Sequence, residues 1–218
     1  MSDNIMELHN VSFSYSEGKY ILRDISLDIG RNDIIVLKGD SGAGKSTFLK
    51  LLNRFCDPSR GRIFFNTREL TEYSIEEIRS TIIYLPQVPH MIDGSVEENL
   101  AFPFSFHSHR NKQFDPSKAE EWLHYFQMNV PLRHNALRLS IGQKQRVSLI
   151  RSLMLDPVML LLDEPASSLD MTNKKLIEQK IEHLTDSSRV TVIMATHSEI
   201  SFSGSNYRTF HLAEGRLT

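Results

Sequence analysis

The residues best suited to chemistry lie in a short glycine-rich stretch, residues 39–47, which runs Gly-Asp-Ser-Gly-Ala-Gly-Lys-Ser-Thr. The stretch matches the phosphate-binding pattern G-x-x-x-x-G-K-[ST], with Gly39, Gly44, Lys45 and Ser46 at the specified positions. Glycine-rich backbone can turn successive N–H groups toward phosphate oxygens. We therefore expect contacts to a bound nucleotide from all of its residues: Gly39, Asp40, Ser41, Gly42, Ala43, Gly44, Lys45, Ser46 and Thr47.

The flanking segments place this stretch between a strand and a helix. Residues 34–37 form an apolar run, and residues 46–55 have the amphipathic pattern of a helix. Strand, loop and helix in this order are the context that the motif requires, and the positive end of the helix dipole favours bound phosphate. Lys45 would then reach the β- and γ-phosphates, and the Ser46 hydroxyl would bind Mg²⁺.

Two carboxylates follow a second apolar run. Residues 158–162 are predicted to form a buried strand, and Asp163 and Glu164 come directly after it. Parallel strands that are buried on both faces are apolar throughout, so carboxylates at their carboxyl end lie where phosphate and Mg²⁺ would be. Asp163 suits Mg²⁺, held directly or through a water molecule. Glu164 is placed to accept a proton from an attacking water or to orient that water.

A second candidate anion site, Leu139-Ser-Ile-Gly-Gln143, opens the helix predicted at 142–155. A serine and a glycine at a helix N-terminus can bind an anion, although a simple helix cap explains these residues equally well. Together with the Lys-Gln-Arg-Val that follows, the stretch resembles the signature of the ATP-binding-cassette (ABC) ATPases, which carry Leu-Ser-Gly-Gly-Gln there. The resemblance implies that ATP is contacted by Ser140, Gly142 and Gln143.

Further motifs follow in the order of that family. Tyr15 resembles the aromatic residue that stacks on adenine, with Tyr20 as a weaker candidate. Gln87, in Tyr84-Leu-Pro-Gln87, resembles the glutamine that touches Mg²⁺ and water and links to the transport partner. The resemblance implies that metal ligation is shared by Ser46, Gln87 and Asp163.

Near the C-terminus, Ser168-Leu-Asp170 resembles the family's D-loop, and Ala195-Thr-His197 resembles its switch histidine. Asp170 is accordingly expected at the nucleotide. The catalytic residues implied by the resemblance are Lys45, Gln87, Glu164 and His197.

One position departs from the family pattern, because Ile141 stands where the signature usually has glycine. A β-branched residue is costly at positive φ. We therefore expect ordinary helical or extended backbone at Ile141, with its side chain pointing away from phosphate.

The order of elements predicts an α/β fold: a P-loop NTPase with a mostly parallel core sheet, an N-terminal antiparallel β flap and an inserted helical subdomain. The resemblance implies that this subdomain is of the ABC type. Residues 5–13 and 19–30 alternate as strands of the flap, with a turn at Glu17 and Gly18, and a closing hairpin is expected at 207–217. We expect a single ABC ATPase domain over residues 1–218. Its core comprises 1–87 and 140–218, and the helical subdomain 88–139.

Composition limits the function classes. The 218 residues carry a formal net charge of -2, which offers no basic field for nucleic acid. Cys56 is the only cysteine, so a reducing compartment is expected. The N-terminus lacks the pattern of a secretory signal, and the apolar runs are too short to span a bilayer. These features predict a cytoplasmic protein, and the resemblance implies that it associates peripherally with the inner face of the cell membrane.

The resemblance implies ATP and Mg²⁺ as cofactors and a homodimer that forms on ATP binding and powers a separate multispanning permease. Residues 87–103 are the expected docking surface. The aromatic run at 101–106 fits a groove for a partner helix and the core of the helical subdomain equally well.

Residues 93–103 and 149–154 resemble the FetA-type ATPases of a proposed iron exporter, although phosphate- and amino-acid-importer ATPases share much of the pattern. The alternative is a soluble ABC ATPase that acts as a scaffold, for example in iron–sulfur assembly.

Overall fold

The computed structural model describes residues 4–16, 18–167, 169–188, 190–200, 202 and 207–218, with backbone only at 186–188. The described residues form strands β1 to β10 in chain order: Asn4–Ser14, Tyr20–Gly30, Ile34–Lys38, Arg60–Phe65, Arg68–Glu69, Ile82–Leu85, Met159–Asp163, Thr191–Ala195, Tyr207–Ala213 and Arg216–Leu217. They form helices α1 to α6 in the same way: Lys45–Leu52, Ile75–Thr81, Val96–Ala101, Pro116–Tyr125, Ile141–Leu153 and Met171–Ser188.

The strands form two sheets. An antiparallel sheet has the order β2-β1-β4-β5, and a second sheet has the order β10-β9-β3-β8-β7-β6. In the second sheet β9, β3, β8, β7 and β6 pair in parallel, and only β10 runs antiparallel to its neighbour. The predicted α/β class, the mostly parallel sheet and the antiparallel flap are confirmed.

The parallel sheet is buried on both faces, because alternate residues of each strand enter different hydrophobic cores. On β7, Met159 and Leu161 pack with the antiparallel sheet and α1, whereas Leu160 and Leu162 pack with α5 and α6. A strand buried on both faces has no place for a polar residue except at its ends. This is why the carboxylate of β7 stands at its last position, Asp163.

The second core also holds the residues predicted as a helical subdomain. Helices α3 and α4 and several short 3₁₀ turns pack there against α5. The capping boxes at Ser74 and Ser95 are present, with each serine accepting from the N–H of the glutamate three residues later. The exact division into core and subdomain stays a prediction.

The observed bounds differ from the predicted ones in small ways. The helix predicted at 46–55 spans Lys45–Leu52, and the strand predicted at 158–162 spans Met159–Asp163. The hairpin at 207–217 is present, but its first strand pairs with β3 and so extends the core sheet. Of the predicted turn at residues 17 and 18, Glu17 lies outside the described residues.

The pairing of β9 with β3 brings the chain close to the glycine-rich loop. Gly39 follows β3 with φ of 149°, and a Cβ placed on it would lie 2.4 Å from the backbone oxygen of Leu212 in β9. Any larger residue at position 39 must therefore displace strand backbone.

We predict that Gly39→Ala lowers the free energy of unfolding by about 2 kcal/mol or more, because it combines a steric overlap with an unfavourable φ. Gly42→Ala is the matched control, since Gly42 also has positive φ (83°) but no atom within 4 Å of the added methyl. Its expected cost is about 1 kcal/mol. Urea unfolding followed by circular dichroism measures both variants, and equal losses would contradict the proposed overlap.

Candidate active site

The glycine-rich loop joins β3 to α1, and its backbone forms the floor of the site. Gly39, Gly42 and Gly44 all have positive φ, and Gly44 is the N-cap residue of α1. Residues of the loop and of the first turn of α1 line the same cavity. This is the arrangement that binds phosphate in strand–loop–helix sites.

Lys45 lies across this loop in an almost buried position. Its ammonium group donates to the carbonyl oxygens of Gly39 at 2.7 Å and Asp40 at 3.0 Å. Its Nζ is also 4.0 Å from Oε1 of Glu164. The cation is therefore held by the loop itself and sits where phosphate oxygens would bind.

Asp163 ends β7 and is buried, with 5% of its surface exposed. The hydroxyl of Tyr84, on the neighbouring strand β6, donates to its Oδ2 at 2.8 Å. Burial, and then the hydrogen bond to Asp163, raise the pKa of Tyr84, so the phenol stays protonated and donating. Sequence reasoning missed Tyr84. It stands three residues before Gln87, but only the adjacency of β6 and β7 brings it to Asp163.

Glu164 has an uncommon backbone conformation for a residue with a side chain, with φ of 50°. Such a conformation costs roughly 1–3 kcal/mol. It is held by the hydrogen bond from the Glu164 N–H to the Ala195 oxygen at the end of β8, at 2.9 Å. The strained backbone turns the carboxylate back into the site.

The two oxygens of Glu164 have different surroundings. Oε1 accepts from the backbone N–H of His197 at 3.1 Å and lies 2.8 Å from the Nδ1 of that histidine. Oε2 is buried without a hydrogen-bond partner among the described residues. A buried carboxylate oxygen without a partner is costly, so Oε2 indicates the place of a water or ligand.

These groups line one cavity of about 470 Å³ at the carboxyl edge of the parallel sheet. Its walls come from β2, the loop, α1 and the ends of β6, β7 and β8, and they comprise Ile21, Asp40, Ser41, Gly42, Gly44, Lys45, Ser46, Thr47, Gln87, Asp163, Glu164 and His197. Ile21 was not predicted from the sequence. Gly39 and Ala43 line an adjoining cleft that shares Asp40, Ser41 and Gly42 with this cavity.

Tyr15 lies beside this cavity. The residue is 66% exposed, its ring packs edge-on against Phe13, and its hydroxyl is 3.4 Å from Oγ1 of Thr47. An exposed aromatic face next to a phosphate-binding loop can stack on a nucleotide base.

The signature residues lie outside the cavity. Ser140 is the N-cap of α5, where its Oγ accepts from the N–H of Gln143 and the Gln143 side chain accepts from the Ser140 N–H. Gly142 is close-packed, since a Cβ there would lie 2.9 Å from Cδ2 of Leu169. Ile141 is helical and 60% exposed, so the expected ordinary backbone is confirmed.

Asp170 also lies outside the cavity. Its carboxylate accepts from the N–H and the side-chain amide of Asn173, at 2.9 and 2.7 Å, and so caps the start of α6. These hydrogen bonds lower the pKa of Asp170. Ser168, in the same motif, lies outside the described residues.

The oxygen groups of the cavity fit Mg²⁺. Asp163 supplies a carboxylate, Ser46 a hydroxyl and Gln87 an amide, which are hard ligands. The described residues hold no cluster of three or more His, Cys, Asp or Glu side chains that could bind a metal alone. Mg²⁺ is commonly bound through one or two carboxylates together with substrate phosphates, which agrees with this sparse set.

Comparisons with known proteins agree with the geometry. A family model described as "ABC transporter" matches residues 22–167. The chain belongs to the ABC transporter family. It is therefore an ABC ATPase, as the sequence motifs predicted.

Named relatives of this ABC ATPase work in different transport systems. It is 33% identical over 196 residues to the "Probable iron export ATP-binding protein FetA" of Escherichia coli strain K12. It is 34% identical over 225 residues to the phosphate import ATP-binding protein PstB of Mycoplasma pneumoniae. The alignment to FetA covers 89% of the chain and 85% of that protein, and the alignment to PstB covers 98% and 68%. The chain spans only 15% of a third relative, the ABC-type transporter kk1G of Curvularia clavata, at 35% identity.

Solved structures show the same fold. The cbiO1 protein of Clostridium perfringens, part of the ABC transporter complex cbiONQ, superposes with a TM-score of 0.84 at 27% identity, covering 100% of this chain and 88% of that one. A dimeric ATP-binding cassette in a post-hydrolysis state, bound to ADP and Pi, gives 0.84 at 26% identity, covering 97% and 96%.

We predict that Ser140→Ala destabilises the ABC ATPase by about 1 kcal/mol, because α5 loses its N-cap hydroxyl. Ser140→Asp should keep nearly full stability, since aspartate is an equally good N-cap residue. Thermal and urea unfolding of the two variants measure the difference. If the aspartate variant is as unstable as the alanine variant, Ser140 does not act as a helix cap.

Proposed function

We propose that this chain is the ATP-hydrolysing subunit of a membrane transporter and that two copies enclose ATP between them. The observation that carries the proposal is that the two candidate anion sites of the chain lie apart. Lys45, Asp163, Glu164 and His197 converge on one side, whereas the N-terminus of α5, with Ser140, does not line the cavity.

Within one subunit, the loop N–H groups and Lys45 hold the β- and γ-phosphates. Lys45 exchanges its contacts with the loop carbonyls for phosphate oxygens, which are stronger, charge-assisted partners. Ser46, Gln87 and Asp163 would hold Mg²⁺, which would supply neutralisation of the phosphate charge. Tyr15 stacks on the adenine ring.

Hydrolysis then uses the two groups at the far end of the cavity. Oε2 of Glu164, which lacks a protein partner, accepts the proton of a water as the water oxygen attacks the γ-phosphorus. The bond to the β-phosphate oxygen breaks, and ADP leaves. His197 lies beside Glu164 and donates to the γ-phosphate as charge accumulates there.

The second copy supplies the other half of the site. The Ser140 Oγ accepts from Gln143 but keeps its own hydrogen, which is free to donate to a phosphate oxygen of the facing subunit. The exposed Ile141 side chain then lies away from the phosphates. Support comes from the dimeric relative bound to ADP and Pi, which superposes on almost the whole chain.

A separate membrane subunit is the proposed partner, which places the chain in the cytoplasm at the inner face of the membrane. None of the helices formed by the described residues has the length and hydrophobicity needed to span a bilayer. Phe102 and Phe106 are 40% and 49% exposed, and two clefts of about 340 and 310 Å³ meet at Pro103 and Phe106. Phe104 packs inward, so the aromatic run serves both the subdomain core and the surface. These clefts form a groove suited to a partner helix.

Iron export is our proposal for the transport system. It is supported by the resemblance to FetA, of which the chain covers 85%, compared with 68% of PstB at similar identity. Cells that lack the chain and its membrane partner should accumulate more iron than the parent strain when iron is added. Unchanged iron together with altered phosphate uptake would favour the import system.

We expect Glu164→Gln to bind ATP and form a stable dimer while hydrolysing it at least 100-fold more slowly, because the amide cannot accept the proton from water. Glu199→Gln, at an exposed glutamate outside the cavity, is the control and should hydrolyse normally. Phosphate release and gel filtration with ATP measure the two effects. Near-normal turnover of Glu164→Gln would remove Glu164 from its proposed role.

Membrane attachment can be tested at the groove. A membrane pull-down of the wild-type chain should contain a multispanning protein, and Phe106→Asp should lose that protein while the purified variant still hydrolyses ATP. Tyr207→Asp, at another exposed aromatic residue, is the control and should keep the protein. Recovery of a soluble partner alone would favour the scaffold alternative.

A further inference from the structure

The side chain that contacts Asp163 is a tyrosine on the next strand. Tyr84 reaches across from β6, and its hydroxyl donates to Oδ2 of Asp163 at 2.8 Å. Within the described part of the chain, this is the hydrogen bond that we find to the Asp163 carboxylate. One of the two carboxylate oxygens is thus engaged by protein, and Oδ1 is left for another ligand.

The ring of Tyr84 is packed against a second aromatic ring. Phe55, just after α1, packs edge-on against it with ring centroids 5.7 Å apart. The guanidinium of Arg79 lies 4.3 Å from the centre of the Phe55 ring, and Arg79 also donates to the Arg54 oxygen at 2.7 Å. This stack limits the positions that the Tyr84 hydroxyl can take. The hydroxyl is therefore already oriented toward Asp163 before any ligand binds.

A second half-buried tyrosine of the chain shows that such a hydroxyl does not need a carboxylate as its hydrogen-bond acceptor. Tyr73 has comparable ring packing, since it lies edge-on against Phe65 with ring centroids 5.8 Å apart. An arginine is also present, but the Arg68 guanidinium lies over the Tyr73 ring itself, 4.4 Å from its centre, and not over the partner phenylalanine. The Tyr73 hydroxyl, however, donates to a backbone oxygen, that of Phe65, at 2.9 Å. Of these two hydroxyls, that of Tyr84 is directed at a carboxylate of the cavity.

We propose that Tyr84 is a positioning residue, which orients the Asp163 carboxylate so that Oδ1 is presented to the metal that accompanies ATP. The inference rests on the proposed function, in which Asp163 is a metal ligand. Groups that hydrogen-bond to a ligating carboxylate fix its direction, and their loss typically weakens metal binding 10- to 100-fold.

The test measures metal binding directly. Mn²⁺, which takes the same oxygen ligands as Mg²⁺, is titrated into the ATP-bound chain and free Mn²⁺ is followed by electron paramagnetic resonance. Tyr84→Phe should weaken Mn²⁺ binding about tenfold, because only the hydroxyl is lost. ATP binding without metal, in EDTA, should stay unchanged.

Tyr73→Phe is the matched control, since it removes a hydroxyl from the same kind of environment away from Asp163. It should lower thermal stability slightly and leave the Mn²⁺ dissociation constant unchanged. The inference is wrong if Tyr84→Phe binds Mn²⁺ within twofold of wild type. It is also wrong if the two phenylalanine variants weaken Mn²⁺ binding equally.

Asp163→Ala tests the role of Asp163 as a metal ligand separately from the role of Tyr84. Strong loss of Mn²⁺ binding in Asp163→Ala with none in Tyr84→Phe overturns the role of Tyr84 alone. Unchanged binding in Asp163→Ala overturns Asp163 as a ligand.

If Tyr84→Phe does not fold, Phe55→Leu decides instead, because it frees the ring while keeping the hydroxyl. We expect it to weaken Mn²⁺ binding about threefold, and no change would overturn the proposal.

Discussion

Burial of charge at one edge of the parallel sheet is the constraint on which the rest of the structure depends. Lys45, Asp163 and Glu164 are each less than 10% exposed and lie around one cavity. Removing such groups from water is costly unless each finds partners. The loop carbonyls hold Lys45, the Tyr84 hydroxyl holds Asp163, and His197 holds one oxygen of Glu164. The remaining oxygen, Oε2 of Glu164, has no hydrogen-bond partner among the described residues.

The two hydrophobic cores support different parts of this arrangement. The first core, between the antiparallel sheet and the parallel sheet, holds α1 and the loop against β3. The second core holds α5, α6 and the inserted helices. The charged cavity and the N-terminus of α5 are therefore supported by opposite faces of one sheet.

Local sequence was enough to find most of the cavity. The glycine-rich loop, the two carboxylates after an apolar run and the histidine after the last core strand all depend on order along the chain, and the structure brings them together. The ordinary backbone at Ile141 was also predictable, because β-branched residues avoid positive φ. Tyr84, Ile21 and the pairing of β9 with β3 were not, because each depends on which strands become neighbours across the sheet. Positive φ at Glu164 was equally hidden, since it is imposed by the contact with Ala195 from a strand far along the chain.

The place of β8 in the sheet has a consequence for how the molecule is made. In the order β3-β8-β7, the strand at 191–195 lies between the strand that carries the loop and the strand that carries the carboxylates. A chain emerging from the ribosome therefore contains Lys45 and Asp163 well before the strand that sets the distance between them. Until residue 195 has been added, neither β3 nor β7 has the neighbour that it needs there, so a nascent chain cannot yet assemble this site.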